Sequence, residues 1–425
     1  MSDHRDLFAK VARRLIPLMV ALYTVAFLDR VNLGFAALTM NKDLSFTPEI
    51  YGWGAGIFFL GYFLFEVPSN VVLTRVGARR WICRIMATWS LVSAATAFVQ
   101  GPTSFYLLRF TLGLAEAGFA PGMIYYLSLW FPAALRARYA ASYFIAIPLT
   151  SVIGGPLSSV ILGMDGTLGL HGWQWLFLVE ALPALVLGVV VYLVLPDGPQ
   201  DAPWLRNDER ATIAATLAAE KERGQDHVRE LWASLADARV LLLCAVYFAI
   251  VVGLYGITYW LPQIVHMMGF SNTQTGYAIV VPYGVASIMM VVWGRHSDAT
   301  GERVWHVALA CLVSAAAFVV SAISPSPLVV FLALSIAAIG ICATLAPFWA
   351  MPPLFLTGTG AAAGIALINA VGNLGGSIGP FLVGWALQET GSYAGGMAML
   401  SLSMIAGAAL VLAMGRFRRL IFAAP

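Results

Sequence analysis

Four charged residues interrupt long apolar stretches of this sequence: Asp29, Arg30, Arg109 and Glu116. A guanidinium stays charged when buried and grips a carboxylate through a two-pronged fork, so Arg30 and Arg109 are candidates for binding an anion. A plainer role is open to each, the neutralising of a nearby Asp29 or Glu116. Glu116 follows Arg109 by seven residues, two helical turns, which puts both on one face about 10 Å apart. That spacing suits a proton site coupled to an anion site better than a tight salt bridge. Asp29 and Glu116 are the candidate proton carriers. Burial favours a neutral carboxyl, a neighbouring arginine favours a charged one, and opening of the site to either side tips the balance.

Uncharged groups complete the candidate set. Tyr62 lies four residues before Glu66 on one helical face and can present a hydroxyl to a cavity. Asn369 and Asn373 are also four apart, and an amide is costly in an apolar medium without a partner, so at least one should point inward. Tyr255 and Trp349 stand beside Gly or Pro residues expected to bend their helices. Glu66 is expected to bond a neighbouring helix terminus, and Glu180 to play a structural part.

These residues must be positioned by membrane helices. The chain has 425 residues, 60% hydrophobic, with a mean hydropathy of +0.82 and 11% charged residues. Soluble chains carry roughly 25% charge, so a soluble enzyme and a nucleic-acid binder are both excluded. Cys83, Cys244, Cys311 and Cys342 lie singly in apolar runs and read as small buried hydrophobes. With no nucleophile and base set and no metal cluster, an enzyme is not expected, nor any cofactor. The basic N-terminus leads into an apolar segment without a small-residue cleavage site, so a retained helix is expected rather than a signal peptide.

Apolar runs fall near 15–40, 50–73, 81–100, 103–131, 138–163, 173–195, 240–264, 275–294, 304–323, 327–351, 361–388 and 393–415. Each is long enough to span a bilayer. The expected fold is therefore an all-α membrane protein of twelve spans, in a six-helix half (1–198), a linker (199–238) with a short helix near 207–222, and a second six-helix half (239–425). With both termini on the cytoplasmic side, 21 of the 24 Lys and Arg residues fall on that side, as the positive-inside rule requires. Lys42 falls outside, and Arg30 and Arg109 lie within spans. The net charge of +3 is too small to imply a polyanionic partner.

The halves repeat at an offset of 224 residues, which carries Gly77 to Gly301, Arg79 to Arg303, Gly155 to Gly379 and Pro156 to Pro380. Duplicated halves are a common architecture for alternating access around a midplane site. At the same offset Asp29, Arg30, Arg109 and Glu116 meet Gly253, Leu254, Ala333 and Gly340, so the deep charges belong to the first half alone. The repeated loops offer conformational latches. Arg75, Arg79 and Arg80, with Gly77, can dock on helix ends and acids of neighbouring helices, as can Asp298 and Arg303, with Gly294 and Gly301.

Those loops resemble the loop motif of the major facilitator superfamily. The first copy departs from it, with Asn70 in place of the Gly and Thr74 in place of the Asp; the second keeps Gly294, Asp298, Gly301 and Arg303. More specifically, FLDRVNLGFAALTMNKDL, GIFFLGYFLFEVPSN, RVGARRW, LRFTLGLAEAGFAPG, WLFLVEALPA and INAVGNLGGSIGP resemble the anion:cation symporter family, within it the tartrate-type and related carboxylate permeases. The resemblance implies proton-driven uptake of organic anions such as tartrate, sugar acids or aromatic acids across a bacterial inner membrane. It implies Asp29 and Glu116 for protons, and Arg30, Arg109, Tyr62, Trp349 and Asn369 for the anion. The expected partners are a small organic anion, protons and the lipid bilayer, with no nucleic acid and a functional monomer. Anion exchange without protons and a transport-inactive nutrient sensor are the alternatives.

Overall fold

The computed structural model describes residues 2–132, 135, 139, 146–222, 237–356 and 358–416, all in helices and short connections. Of the basic residues assigned above to one face, Arg136, Arg138, Arg223, Arg229, Arg418 and Arg419 lie outside the described residues. The first half runs through α1 (Ser2–Asp43), α2 (Pro48–Val76), α3 (Ala78–Ala95), α4 (Pro102–Glu116), α5 (Phe119–Ser128), α6 (Ala146–Leu162) and α7 (Gly172–Val194). The connector carries α8 (Asn207–Glu222), where a short helix was expected. The second half comprises α9 (Ala238–Met267), α10 (Asn272–Thr300), α11 (Val304–Ile323), α12 (Pro327–Trp349), α13 (Gly358–Asn373), α14 (Gly375–Thr390) and α15 (Tyr393–Arg416).

Among the described residues ten helices are long and apolar enough to cross a membrane. The expected fourth and fifth spans are not among them. The fourth breaks after Glu116 into α4 and α5, because Gly118 takes a left-handed conformation (φ +85°). There α2 comes so close that a Cβ on Gly118 would stand 2.3 Å from Ser69 Oγ. Of the fifth, expected at 138–163, the 17-residue α6 is described, while residues 138 and 140–145 lie outside the described residues. A bend expected beside Tyr255 does not occur: α9 runs unbroken through it. Its glycines serve packing instead, since a Cβ on Gly253 would meet Met404 Sδ at 2.8 Å and one on Gly256 would meet the Leu400 side chain at 2.6 Å. α12 ends at Trp349, with Pro347 in its last turn.

The 224-residue repeat is visible in the helix bounds, for Pro48–Val76 maps end to end onto Asn272–Thr300. Both helices begin at a hydroxyl cap in the same repeat position: Thr47 accepts from Ile50 N at 3.2 Å, and Ser271 accepts from Gln274 N at 3.2 Å. These caps satisfy amides that have no intrahelical partner.

The halves meet along two related seams, α2 on α14 and α6 on α10, with α1 on α9 between them. Small residues let backbones approach there. A Cβ on Gly52 would lie 2.8 Å from Pro380 O, and one on Gly276, its repeat equivalent, 2.5 Å from Gly155 O. Across the halves Tyr51 donates to Tyr259 O at 3.0 Å and Asn41 Nδ2 to Gln263 Oε1 at 3.2 Å, while Trp260 Nε1 donates to Pro380 O at 3.0 Å within the second half. All these contacts lie toward the face away from the Gly77 and Gly301 loops. The halves are thus closed on that far face.

Candidate substrate cavity and coupling residues

Between the halves lies a cavity walled by Tyr23, Phe27 and Arg30 of α1, Tyr62 of α2, Ala120 and Ile124 of α5, Ile147 of α6, Tyr247, Leu254 and Tyr255 of α9, and Asn369 and Asn373 of α13. Helix direction places this wall from mid-depth toward the face of the Gly77 and Gly301 loops. Five aromatic rings and two amides surround a single guanidinium. That composition suits a small molecule with an anionic end and an apolar or hydroxylated body.

The Arg30 fork is occupied from inside the protein. Nε donates to Glu116 Oε1 at 3.1 Å, Nη2 donates to the same oxygen, and Nη1 donates to Tyr255 Oη at 2.8 Å. The guanidinium also stands 5.1, 5.3 and 5.4 Å from the ring centres of Phe27, Phe58 and Tyr62, where ring quadrupoles attract a cation. Glu116 ends α4, at the negative end of the helix dipole, so the helix itself does not stabilise its charge. Arg30 does. Glu116 Oε2 is buried without a partner.

The spacing within α4 is too long for a tight salt bridge, and the acid finds its partner on another helix. Arg109 and Glu116 form no ion pair; Glu116 turns to Arg30 in a tight salt bridge. Arg109 is fully buried, donates from Nε to Gly54 O at 3.3 Å, packs 5.0 Å from the Phe58 ring centre and leaves Nη2 unpartnered. Two arginines therefore press on one phenylalanine. Asp29, although adjacent in sequence to Arg30, points to α3 and accepts from Ser93 Oγ. Successive residues on a helix are 100° apart, so Asp29 and Arg30 serve different compartments.

Tyr62, Tyr255, Asn369 and Asn373 lie on the cavity wall. Trp349 stands one layer back, with its ring centre 4.9 Å from that of Tyr247. Glu66 does not cap a helix terminus: its Oε1 accepts from Asn369 Nδ2 at 3.2 Å across the halves, and its Oε2 has no partner. Glu180 Oε1 accepts from Ser158 at 2.8 Å. Phe58, Tyr23, Phe27 and Tyr247 were missed by sequence reasoning. An aromatic residue among many carries no signal of its own until the arginine beside it is located.

The repeated loops make their hydrogen bonds and ion pairs within their own halves. Asp197 Oδ1 accepts from Arg79 N at 2.8 Å, and Gly77 (φ +95°) leaves room for that carboxylate. Arg79 lies 5.0 Å from the Tyr192 ring centre, whereas Arg75 and Arg80 are exposed. In the second loop Arg303 pairs with Asp298 at 2.6 Å and donates to Ser297 Oγ at 2.8 Å, Gly301 ends α10 in a left-handed turn, and Gly294 lets α12 approach at Ala346. Among the described residues these loop contacts join neighbouring segments of one half and do not bridge the two halves. The cavity itself is nearly closed, with about 20 Å³ of space, and with the far face sealed its wall reaches toward the loop side.

Comparison with known proteins agrees with this architecture. A Major Facilitator Superfamily profile matches residues 19–380. The chain is 51% identical over 415 residues to a protein of Agrobacterium vitis named "Putative tartrate transporter", covering 97% of this chain and 92% of that one. It is 42% identical over 409 residues to a "Quinolone resistance transporter" of Acinetobacter baumannii, covering 96% and 94%. Among solved structures, a bacterial homologue of the human lysosomal transporter Spinster, inward-facing and occupied, superposes with a TM-score of 0.70 over 96% of each chain at 17% identity, a likeness of fold. A family profile across most of the chain, relatives named as transporters over nearly its full length, and ten helices fit to cross a membrane lead to one conclusion: the chain belongs to the Major Facilitator Superfamily and is a multi-pass membrane transporter, not an enzyme.

Proposed function

We propose that this transporter imports a small organic carboxylate together with protons across a bacterial inner membrane, as a monomer of twelve spans with both termini cytoplasmic. The observation that carries the reading is the occupied fork of Arg30. A substrate carboxylate and the Glu116 carboxylate are equivalent ligands for one guanidinium at a cavity wall. Protonation of Glu116 removes its claim on Arg30 and frees the fork for the substrate. Loss of that proton returns Glu116 to Arg30 and expels the anion. Binding and proton load are thereby linked without direct contact between proton and substrate.

Tyr255 gives this exchange mechanical reach, since Arg30 holds it across the interface of the halves. Asn369, Asn373 and Tyr62 offer hydrogen bonds to hydroxyl groups or to a second carboxylate, as in tartrate, a sugar acid or an aromatic acid. Arg109 and Asp29, behind Phe58, form a second arginine–acid level that becomes available when the halves rock. Relatives with different named cargoes do not fix the substrate. Arg30, the one cationic group on the cavity wall among the described residues, argues for an anion.

Coupling has a defined energetic yield. One proton with a monoanion moves no net charge and draws about 1.4 kcal/mol per pH unit; each further proton adds about 2.3 kcal/mol per 100 mV. Proteoliposomes offered a panel of labelled organic acids under an inward proton gradient are expected to accumulate at least one of them. Accumulation that ignores the gradient for every transported acid would refute proton coupling and favour anion exchange.

A further inference from the structure

Behind the cavity, between α1, α3, α6 and α7, a polar cluster contains four buried atoms without partners, three of them on Asn32 and Glu180. Asn32 is fully buried, and neither its Nδ2 nor its Oδ1 is hydrogen-bonded. It lies close to the carboxyl groups of both Asp29 and Glu180, at a spacing longer than a formed hydrogen bond. Glu180 supplies the third atom, Oε2, while its Oε1 accepts from Ser158 Oγ. Asp29 accepts from Ser93 Oγ.

Donor and acceptor counting assigns a proton here. An ionised carboxylate only accepts, whereas a protonated one also donates. If Asp29 and Glu180 are both ionised, Asn32 lies between two acceptors, which its Nδ2 can serve but its Oδ1 cannot, so Oδ1 stays unmatched. With a proton on Oε2, Glu180 donates to Asn32 Oδ1 and Asn32 Nδ2 donates to Asp29, so small side-chain adjustments match all three atoms together. Trp89 Nε1, another unpartnered donor, faces Asp29. Charges point the same way. The ionisable groups acting on Asp29 are Arg109, Glu116 and Glu180, and the one acting on Glu180 among the described residues is Asp29, so Glu180 has no cation to balance it.

We propose that Glu180 is a resident carboxylic acid, and that its hydrogen-bond chain through Asn32 positions Asp29 as the exchangeable acid of this compartment. The second clause rests on the reading of Asp29 as a proton carrier. Glu180 is then a positioning residue whose own proton stays in place through the cycle.

Infrared difference spectroscopy of the purified protein in lipid tests the first clause. The carbonyl stretch of a buried protonated acid is expected at neutral pH, lost in Glu180→Gln and kept in Glu116→Gln; a Glu180→Gln spectrum equal to the wild type would overturn the assignment. Uptake against pH tests the second. Glu180→Gln keeps a donor to Asn32 and is expected to retain the wild-type rate and profile. Asn32→Leu, or Asn32→Ser should the leucine variant not reach the membrane, removes the donor to Asp29 and is expected to move the profile to higher pH. A changed profile in Glu180→Gln would mean that its proton is exchanged, and an unchanged one in the Asn32 variants would break the positioning chain. Wild-type uptake indifferent to a proton gradient would refute Asp29 coupling, and with it the second clause, while the infrared result still decides Glu180.

Discussion

Arg30 and Glu116, 86 residues apart in sequence, share one hydrogen-bonded ion pair in which two guanidinium nitrogens meet a single carboxylate oxygen. The other oxygen has no partner. A buried ion pair is weak evidence for stability but a good switch, because removing either charge leaves the other uncompensated. Glu116→Gln keeps shape and removes the charge. It is expected to abolish uphill accumulation while exchange of internal for external substrate continues, measured as labelled counterflow in proteoliposomes. Full uphill accumulation by this variant would remove Glu116 from the coupling route.

The fork geometry of Arg30 matters beyond its charge. One ammonium cannot reproduce the bonds of Nε and Nη2 to a carboxylate together with that of Nη1 to Tyr255. Truncating one partner of a buried, hydrogen-bonded charge pair costs about 2–5 kcal/mol, roughly 30-fold or more in affinity. Arg30→Lys should therefore lose most substrate binding, and Arg30→Ala all that equilibrium binding can detect. Near wild-type affinity in either would contradict the anion site.

Closure of the far face depends on glycine. A leucine at Gly276 would overpack the seam with α6 at a cost of about 1–3 kcal/mol, shifting a two-state balance roughly 5- to 150-fold. Gly276→Leu is expected to raise the reactivity of a cysteine placed at Asn41 toward a reagent on that face and to slow uptake. Gly284, on the same helix with no neighbour near its Cα hydrogen, is the control: Gly284→Leu should leave both unchanged. Equal effects of the two substitutions would mean that the seam is not what closes the face.

The connector is tied to the first half through Lys10, which donates to both Glu209 oxygens at 2.9 and 2.8 Å. The hydrogen bond from Lys10, with a second from Arg206 N, holds the Glu209 carboxyl below its usual range. Such a group contributes stability above its free value and loses it as pH falls through the lowered one. Hydrogen exchange in α8, corrected for intrinsic rates, should therefore stay slow at neutral pH and rise in acid. Glu209→Gln should show the acid behaviour at neutral pH, and unaltered protection would sever this tether.

Much of the fold was legible because apolar length and repeat offset are one-dimensional signals. Thr47 and Ser271 cap equivalent helices, and Gly52 and Gly276 line equivalent seams. The break at Gly118 was not legible, since it lies in a left-handed turn packed against Ser69 of another helix. For the site, the sequence singled out Arg30, Arg109, Asp29 and Glu116, but their partners depend on how α1 and α4 rotate against each other. Seven-residue spacing put Arg109 and Glu116 on one face of α4, but only helix rotation shows that Glu116 meets Arg30 and Asp29 meets Ser93. Trp349 shows the same limit, standing behind Tyr247 although its own neighbours suggested a place on the wall.

The exchange of Arg30 between Glu116 and the substrate is the central claim, and proton uptake on binding tests it most directly. Purified protein in weak buffer is mixed with a transported carboxylate, and the protons taken up per anion bound are counted by a pH dye or by calorimetry in buffers of different ionisation heat. The account predicts proton uptake by the wild type as Glu116 is displaced, and its loss in Glu116→Gln while the anion still binds. Wild-type binding without proton uptake, or equal uptake in both proteins, would contradict it.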